Sequence, residues 1–121
     1  MNKTVLVVDD VPLNVKLLTT LLRREGFEVE AATTAEEALE VVSKVRPGLV
    51  LADIRLPGMD GLEMTRRLKA NPETANIPIL AVTAFAMAGD EQKALEAGCD
   101  GYVTKPVDVK TFPALVRAYL K

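Results

Sequence analysis

Four short apolar runs in this 121-residue chain end on groups able to do chemistry. Val5 to Val8 is followed by Asp9-Asp10, Leu49 to Ala52 by Asp53, and Ile79 to Val82 by Thr83, while Tyr102-Val103-Thr104 leads into Lys105. Three carboxylates gathered in one place repel one another unless a proton or a cation compensates. A small set of oxygen-only ligands suits Mg²⁺, which keeps several waters and commonly takes one or two carboxylates plus phosphate oxygens. The Thr83 hydroxyl can donate to a phosphoryl oxygen, and the Lys105 ammonium can bind the same oxygens. Asp53 is then the candidate nucleophile, since a carboxylate can accept a phosphoryl group as a mixed anhydride while cations stabilise the charge in flight.

These groups can cooperate only if the fold brings the four run-ends together. The runs at Val5 to Val8, Leu49 to Ala52 and Ile79 to Val82 are continuously apolar, as strands covered on both faces should be. Phe27-Glu28-Val29-Glu30-Ala31 alternates and the run at Tyr102 is short, so these two read as edge strands. Helical spacing fills the intervals. The first helix is expected from about Pro12 to Glu25, with Val15, Leu18 and Leu22 on one stripe and Gly26 as a left-handed stop. Thr34 with Glu37, and Asp60 with Glu63, read as helix-start signals; those helices end before Pro47-Gly48 and near Asn71-Pro72. A fourth helix spans Asp90 to Ala97, with Leu95 as its single large apolar residue, and a turn at Ala84 to Ala88 precedes it. The fifth carries Phe112, Leu115, Val116, Tyr119 and Leu120 on one face, with Pro113 near its start.

Strand and helix therefore alternate five times, which implies an α/β fold: a doubly wound, five-stranded parallel sheet with helices on both faces. Right-handed crossovers and two exposed edges favour strand order 2-1-3-4-5, although alternation alone admits other orders. In that order the strand sequence reverses between strands one and three, where ligands of such sheets bind beyond the carboxyl ends. Asp9, Asp10 and Asp53 fall at that point. Each group also has a plainer reading: Asp9-Asp10 or Thr83 as a helix cap, Asp53 as a turn residue, Lys105-Pro106 as a strand exit. Convergence of four strand ends on one reaction favours the chemical reading over these.

Composition removes several other functions. The chain has no His and one Ser, Ser43, so a Ser-His-Asp triad, a His-liganded zinc or a His general base cannot be built. With 15 Lys+Arg against 17 Asp+Glu the net charge is -2, which makes nucleic acid an unfavourable direct partner. The single Cys99 excludes an intrachain disulfide and suits a reducing compartment. No apolar run approaches the roughly 18 residues of a membrane span, and no charged-then-apolar signal opens the chain. The expectation is one cytoplasmic domain, 1–121, with no membrane partner and no separate output domain.

Four stretches carry a resemblance to a known family: Val5-Leu6-Val7-Val8-Asp9-Asp10; Leu51-Ala52-Asp53-Ile54-Arg55-Leu56-Pro57-Gly58-Met59-Asp60-Gly61; Ala81-Val82-Thr83-Ala84; and Gly101-Tyr102-Val103-Thr104-Lys105-Pro106. Together they resemble the receiver domain of two-component response regulators, a flavodoxin-like (βα)5 fold. The resemblance implies that Asp53 is the phosphoacceptor, and that Asp10, Asp53 and the Arg55 backbone carbonyl bind Mg²⁺ directly while Asp9 acts through a water. It implies that Lys105 pairs with the phosphoryl group, that Thr83 closes on it as the switch residue, and that Tyr102 is the aromatic that follows Thr83. It also implies a cis peptide at Lys105-Pro106. Arg55 and Phe85 stand where the family tunes phosphoryl lifetime, and a bulky Phe with a nearby cation predicts a long-lived acyl phosphate. Alternatives stay open at two of these positions: Tyr102 as a rim aromatic with a wet hydroxyl, and Arg55 lying along the surface.

The implied function is that of a stand-alone response regulator of the cell-cycle and phosphorelay style. A histidine kinase or histidine phosphotransfer protein would supply the phosphoryl group and the histidine missing here. The signal would leave by protein contact at the fourth helix, fifth strand and fifth helix, or by onward relay. Such a chain accepts and loses a phosphoryl group without being a multiple-turnover enzyme. Three rivals differ in class. An aspartyl-nucleophile phosphohydrolase needs a second acid two residues after the nucleophile, where Arg55 stands. A phosphorylation-independent interaction module would not need the complete acid, Thr and Lys set. A flavodoxin-like carrier needs a phosphate-binding loop after strand one, where Asp9-Asp10 would repel phosphate.

Overall fold

The computed structural model describes residues 3–56, 58–84, 89–105 and 107–120. The strands are β1 (Thr4–Val8), β2 (Glu28–Ala32), β3 (Leu49–Ala52), β4 (Ile79–Thr83) and β5 (Gly101–Thr104). Between and after them run α1 (Pro12–Arg24), α2 (Ala35–Val45), α3 (Gly61–Ala70), α4 (Asp90–Ala97) and α5 (Phe112–Tyr119). All strand pairs are parallel, in the order β2-β1-β3-β4-β5 that the sequence favours.

Burial explains that order. Every residue of β3 and β4 is buried, and β1 is exposed only at Thr4, whereas β2 and β5 are partly open. Period-two alternation then divides the core between the two faces of the sheet. Val5, Val7, Leu49, Leu51, Leu80 and Val82 pack with Leu18 and Leu22 of α1 and with Phe112 and Val116 of α5. Their neighbours Leu6, Val8, Val50, Ala52, Ile79 and Ala81 pack with Val42 of α2, Met64 and Leu68 of α3, and Ala94 of α4. A continuously apolar strand is the sequence form of this two-sided burial.

Local chemistry sets the helix ends. Thr34 Oγ1 accepts from Glu37 N at 3.0 Å, while the Glu37 carboxylate reaches back to Thr33 N at 2.7 Å, one residue earlier than a simple capping box. Asp60 Oδ1 caps α3 by accepting from Glu63 N at 2.8 Å. Helix α2 ends before Pro47-Gly48 as expected, and the left-handed residue that stops it is Arg46, at φ 53. A non-glycine residue there costs about 1 kcal/mol. The Arg46 guanidinium offsets it by donating to the Glu73 carbonyl at 3.0 Å and to the Glu73 carboxylate at 3.2 Å.

Helix α4 departs from its expected packing. Leu95, the large apolar side chain that the sequence offers as anchor, is 47% exposed. The helix meets the core through Ala94 and Ala97, and its first residue, Asp90, is buried. Small residues let a helix lie close to its neighbours but bury little area, so α4 is held with little apolar stabilisation. Among the described residues no helix is long and apolar enough to cross a membrane.

Candidate functional site

The site lies at the carboxyl edge of the sheet, where β1 and β3 are neighbours. Parallel register places Val8 beside Ala52, so Asp9 and Asp53 leave their strands side by side. Asp53 N donates to Val8 O at 3.0 Å and Asp9 N to Ala32 O at 3.1 Å, extending the ladder one residue past the strands. Each acid then turns its chain with its own carboxylate. Asp9 Oδ1 accepts from Val11 N and Asp53 Oδ1 from Arg55 N, both at 2.9 Å. The capping alternative for Asp9 is thereby excluded, because α1 is capped at Val11 without a side-chain hydrogen bond.

Asp9, Asp10 and Asp53 each offer a carboxylate oxygen within 4.8 Å of the others. Asp9 and Asp53 are buried and Asp10 is exposed. Lys105 Nζ donates to Asp9 Oδ2 and, at 3.1 Å, to Asp53 Oδ2. One ammonium therefore bridges two buried acids. Burial alone would lower the lysine's pKa, but the hydrogen bond to Asp9 and the charge and hydrogen bond of Asp53 outweigh it and hold the group above its ordinary value.

The lysine is positioned by β4 and β5. Lys105 N donates to Thr83 O at 2.7 Å, which places the Thr83 strand end beside the lysine backbone. Thr83 is fully buried. Register pairs Thr83 with Thr104 and Ala81 with Tyr102, so Thr83 and Tyr102 lie on the same face of the sheet, two positions apart. Tyr102 is half-buried and packs against the α2–α3–α4 side of the core. Burial, then the charges of Asp90 and Glu91, push its phenol above the usual tyrosine value, with Arg55 opposing and Asp53 adding slightly.

Two residues matter here whose importance the sequence does not signal. Asp90, the first residue of α4, forms an ion pair with Arg55 (3.6 Å between Arg55 Nη2 and Asp90 Oδ2), so Arg55 does not simply lie along the surface. Gly61 packs so closely on Asp53 that a methyl group there would collide with the Asp53 carbonyl oxygen and stand 2.8 Å from Ile54 Cα. An acid opening a helix reads as an ordinary dipole partner, and a glycine after Asp60 as part of a turn. Only packing distinguishes them. Phe85, Pro106 and the Lys105-Pro106 peptide lie outside the described residues.

The acidic cluster has the character of a site for a hard divalent cation: oxygen donors only, close enough to share one ion, on an open rim. A bridging lysine and a buried hydroxyl beside it add the groups that an anionic phosphoryl oxygen needs. The response regulator receiver domain model matches residues 5–117. The polar-differentiation response regulator DivK of Brucella anthropi is 42% identical over 120 residues, covering 99% of this chain and 98% of its own. A chain described as a response regulator from Chloroflexus aurantiacus superimposes with a TM-score of 0.93 at 33% identity, covering 99% of this chain and 98% of that one. The receiver domain of sensor histidine kinase PA1611 from Pseudomonas aeruginosa, described with a magnesium ion coordinated in its active-site cleft, gives a TM-score of 0.90 at 29% identity, with 99% and 98% covered. With strand order, acidic rim and whole-length sequence agreement all pointing the same way, the chain belongs to the response regulator receiver domain family.

Proposed function

We propose that this receiver takes a phosphoryl group on Asp53 and reports its presence through its own surface. The observation that carries the reading is the lysine bridge: Asp53 lies 3.1 Å from an ammonium that it shares with Asp9. In the transfer, an Asp53 carboxylate oxygen bonds to phosphorus as the bond from phosphorus to the donor nitrogen breaks, and the imidazole is released. Lys105 stays beside the new acyl phosphate, where the product carries about one more negative charge than the free carboxylate. Thr83 serves as the hydroxyl that closes on the phosphoryl oxygens, and Tyr102, on the same sheet face, follows it. Arg55 sets the lifetime of the acyl phosphate, together with Phe85.

Asp10 and Asp53, with the Arg55 backbone carbonyl, are the residues suited to hold Mg²⁺ directly. Asp9 takes an outer role through a water, as the family resemblance implies. When bound, the ion supplies positive charge to the phosphoryl oxygens.

The donor is a histidine kinase or histidine phosphotransfer protein, since the chain has no His of its own. Its docking place is the apolar groove of about 490 Å³ formed by Leu17, Leu18, Leu21, Val107 and Val109, because Lys105 also lines that groove. Leu13, Leu17 and Val109 are each at least 60% exposed, an unusual display for side chains of this size. The signal leaves by the α4–β5–α5 face, whose first helix is weakly anchored, and the protein works in the cytoplasm.

The test is incubation with Mg²⁺ and a small acyl phosphate, followed by intact-mass measurement. Wild type should gain one phosphoryl group and Asp53→Asn none, and a chelator should abolish the gain. Equal labelling of the two proteins would move the acceptor away from Asp53.

A further inference from the structure

We propose that Thr65 is a positioning residue for the phosphoacceptor: its hydroxyl pins Gly61, the residue against which the backbone of Asp53 is set. The proposal rests on Asp53 being the phosphoacceptor.

Three observations carry it. First, Thr65 is a fully buried polar residue inside α3, beside the core residues Met64 and Leu68. Packing does not ask for a hydroxyl at such a place, because valine has nearly the same shape and brings no polar group to desolvate. Second, the hydroxyl is aimed. Thr65 Oγ1 donates to Gly61 O at 2.8 Å, and Cys99 Sγ stands 3.7 Å from it. A hydroxyl has one proton, so with that proton on Gly61 the thiol is left to donate to the hydroxyl oxygen. Third, Gly61 is the residue that abuts Asp53. A Cβ on Gly61 would stand 2.3 Å from the Asp53 carbonyl oxygen and 2.8 Å from Ile54 Cα, and Gly61 N donates to Ile54 O at 3.2 Å.

A helical threonine commonly bonds the carbonyl four residues back. Here the bond is buried and falls on a glycine, whose backbone has the widest freedom of any residue, at the first position of α3, where helices fray. Gly61 has no side chain to hold it in place, and the Thr65 hydroxyl supplies that constraint from within the core. With Gly61 fixed, the Asp53 carbonyl has one place to lie. The carboxylate is then held where Arg55 N reaches it at 2.9 Å and Lys105 Nζ at 3.1 Å. Transfer needs an Asp53 oxygen in line with the breaking bond to phosphorus, so a small displacement of the Asp53 backbone is read directly as rate.

Two conservative variants test this, because positioning and plain packing rank them in opposite orders. Thr65→Val keeps the shape and loses the hydroxyl, whereas Thr65→Ser keeps the hydroxyl and loses a buried methyl group. Urea denaturation should therefore find Thr65→Ser the less stable of the two. Labelling by a small acyl phosphate, followed by intact mass at saturating Mg²⁺ and donor, should rank them the other way. Thr65→Ser should label within about twofold of the wild-type rate and Thr65→Val about tenfold more slowly, with the donor concentration for half-maximal rate unchanged in both. Hydrogen exchange of the Gly61 amide needs no phosphoryl group, and it should quicken about fivefold in Thr65→Val, as expected for one lost hydrogen bond, but not in Thr65→Ser. Labelling rates that follow stability, or Gly61 exchange that is equal in the two variants, would overturn the proposal. Failure of the phosphoacceptor reading is visible separately, as no mass gain on the wild type, while Gly61 exchange still reports whether the threonine holds the glycine.

Discussion

Lys105 lies 3.1 Å from Asp53 while the same ammonium also donates to Asp9, so one cation from the end of β5 neutralises acids from two other strands. Removing it strands two buried carboxylates close together. Lys105→Met should lower stability by about 2–3 kcal/mol at neutral pH, the usual cost of breaking charge-assisted, largely buried contacts. Urea denaturation measures this as a lower midpoint with an unchanged slope.

The same bridge predicts a loss of stability in alkali. The pKa of Lys105 is held above its ordinary 10.5 in the folded protein. A cation with a raised folded pKa contributes stability that is complete below the unfolded value and is lost as pH rises through the folded one. Tyr102, raised above 10.0 chiefly by burial, acts with the same sign, because folding favours its neutral form. The buried Cys99 thiol, pushed above 9.0 chiefly by burial, acts the same way, so urea midpoints should begin to fall from about pH 9 and fall further above about pH 10. In Lys105→Met the fall above about pH 10 should be shallower, leaving the Tyr102 and Cys99 parts, and identical slopes in the two proteins would contradict the assignment.

Asp10 is the exposed member of the acidic cluster, and its carboxylate repels its neighbours when no cation is bound. In the presence of a chelator Asp10→Asn should melt at a higher temperature than wild type. Mg²⁺ should reverse the ranking. At ten times its dissociation constant the ion stabilises the wild type by about 1.4 kcal/mol, and a variant that has lost a direct ligand should gain much less. Thermal melts across a Mg²⁺ series measure both halves of the prediction.

Gly61 links packing to chemistry. A methyl at this position meets backbone atoms of Asp53 and Ile54, which cannot step aside as a flexible side chain can. Gly61→Ala should cost about 1–3 kcal/mol and also slow acyl-phosphate labelling, because Asp53 itself is displaced. Gly101→Ala is the control. Its methyl would lie 2.7 Å from Leu80 Cδ1 and also clash with Tyr119, at the opposite end of β5 from Lys105. Its neighbours are side-chain ends that can shift, so it should lose less stability than Gly61→Ala and keep its labelling rate.

What the sequence made legible follows from period and position. A short, continuously apolar run such as Ile79–Val82, set between helical patterns and bounded by Pro78, reads as a strand buried on both faces, so its end, Thr83, falls at the rim once strand and helix alternate. The acids, the hydroxyl and the lysine were readable for that reason. The outward position of Leu95 is not legible in the same way, because a helical pattern shows which residues share a stripe but not that α4 turns its alanines inward. Asp90 carries no such signal, because its ion pair is with Arg55, a residue 35 positions earlier. Long-range pairing of charges leaves no local signal.

The exposed apolar side chains near Lys105 give the last prediction. Leu17 is 60% exposed on α1 and lines the same groove as Lys105, which contacts Asp53, so a donor seated there would bring its phosphohistidine toward Asp53. A small acyl phosphate needs no such surface. Leu17→Glu should therefore leave labelling by a small acyl phosphate unchanged, because the side chain is solvent-facing and makes no contact that the acid–lysine bridge depends on. Transfer from a phosphorylated histidine phosphotransfer protein should fall by at least about tenfold, the effect of losing one central apolar anchor and burying an unpaired charge in its place. Varying the receiver concentration in single-turnover transfer separates the two possible causes. Weaker docking raises the concentration needed for half-maximal rate and leaves the plateau rate intact, whereas damage to the site would lower the plateau and the small-molecule reaction together. A fall in both reactions would remove the groove as the docking place, since it would mean that Leu17 acts through the acceptor site itself.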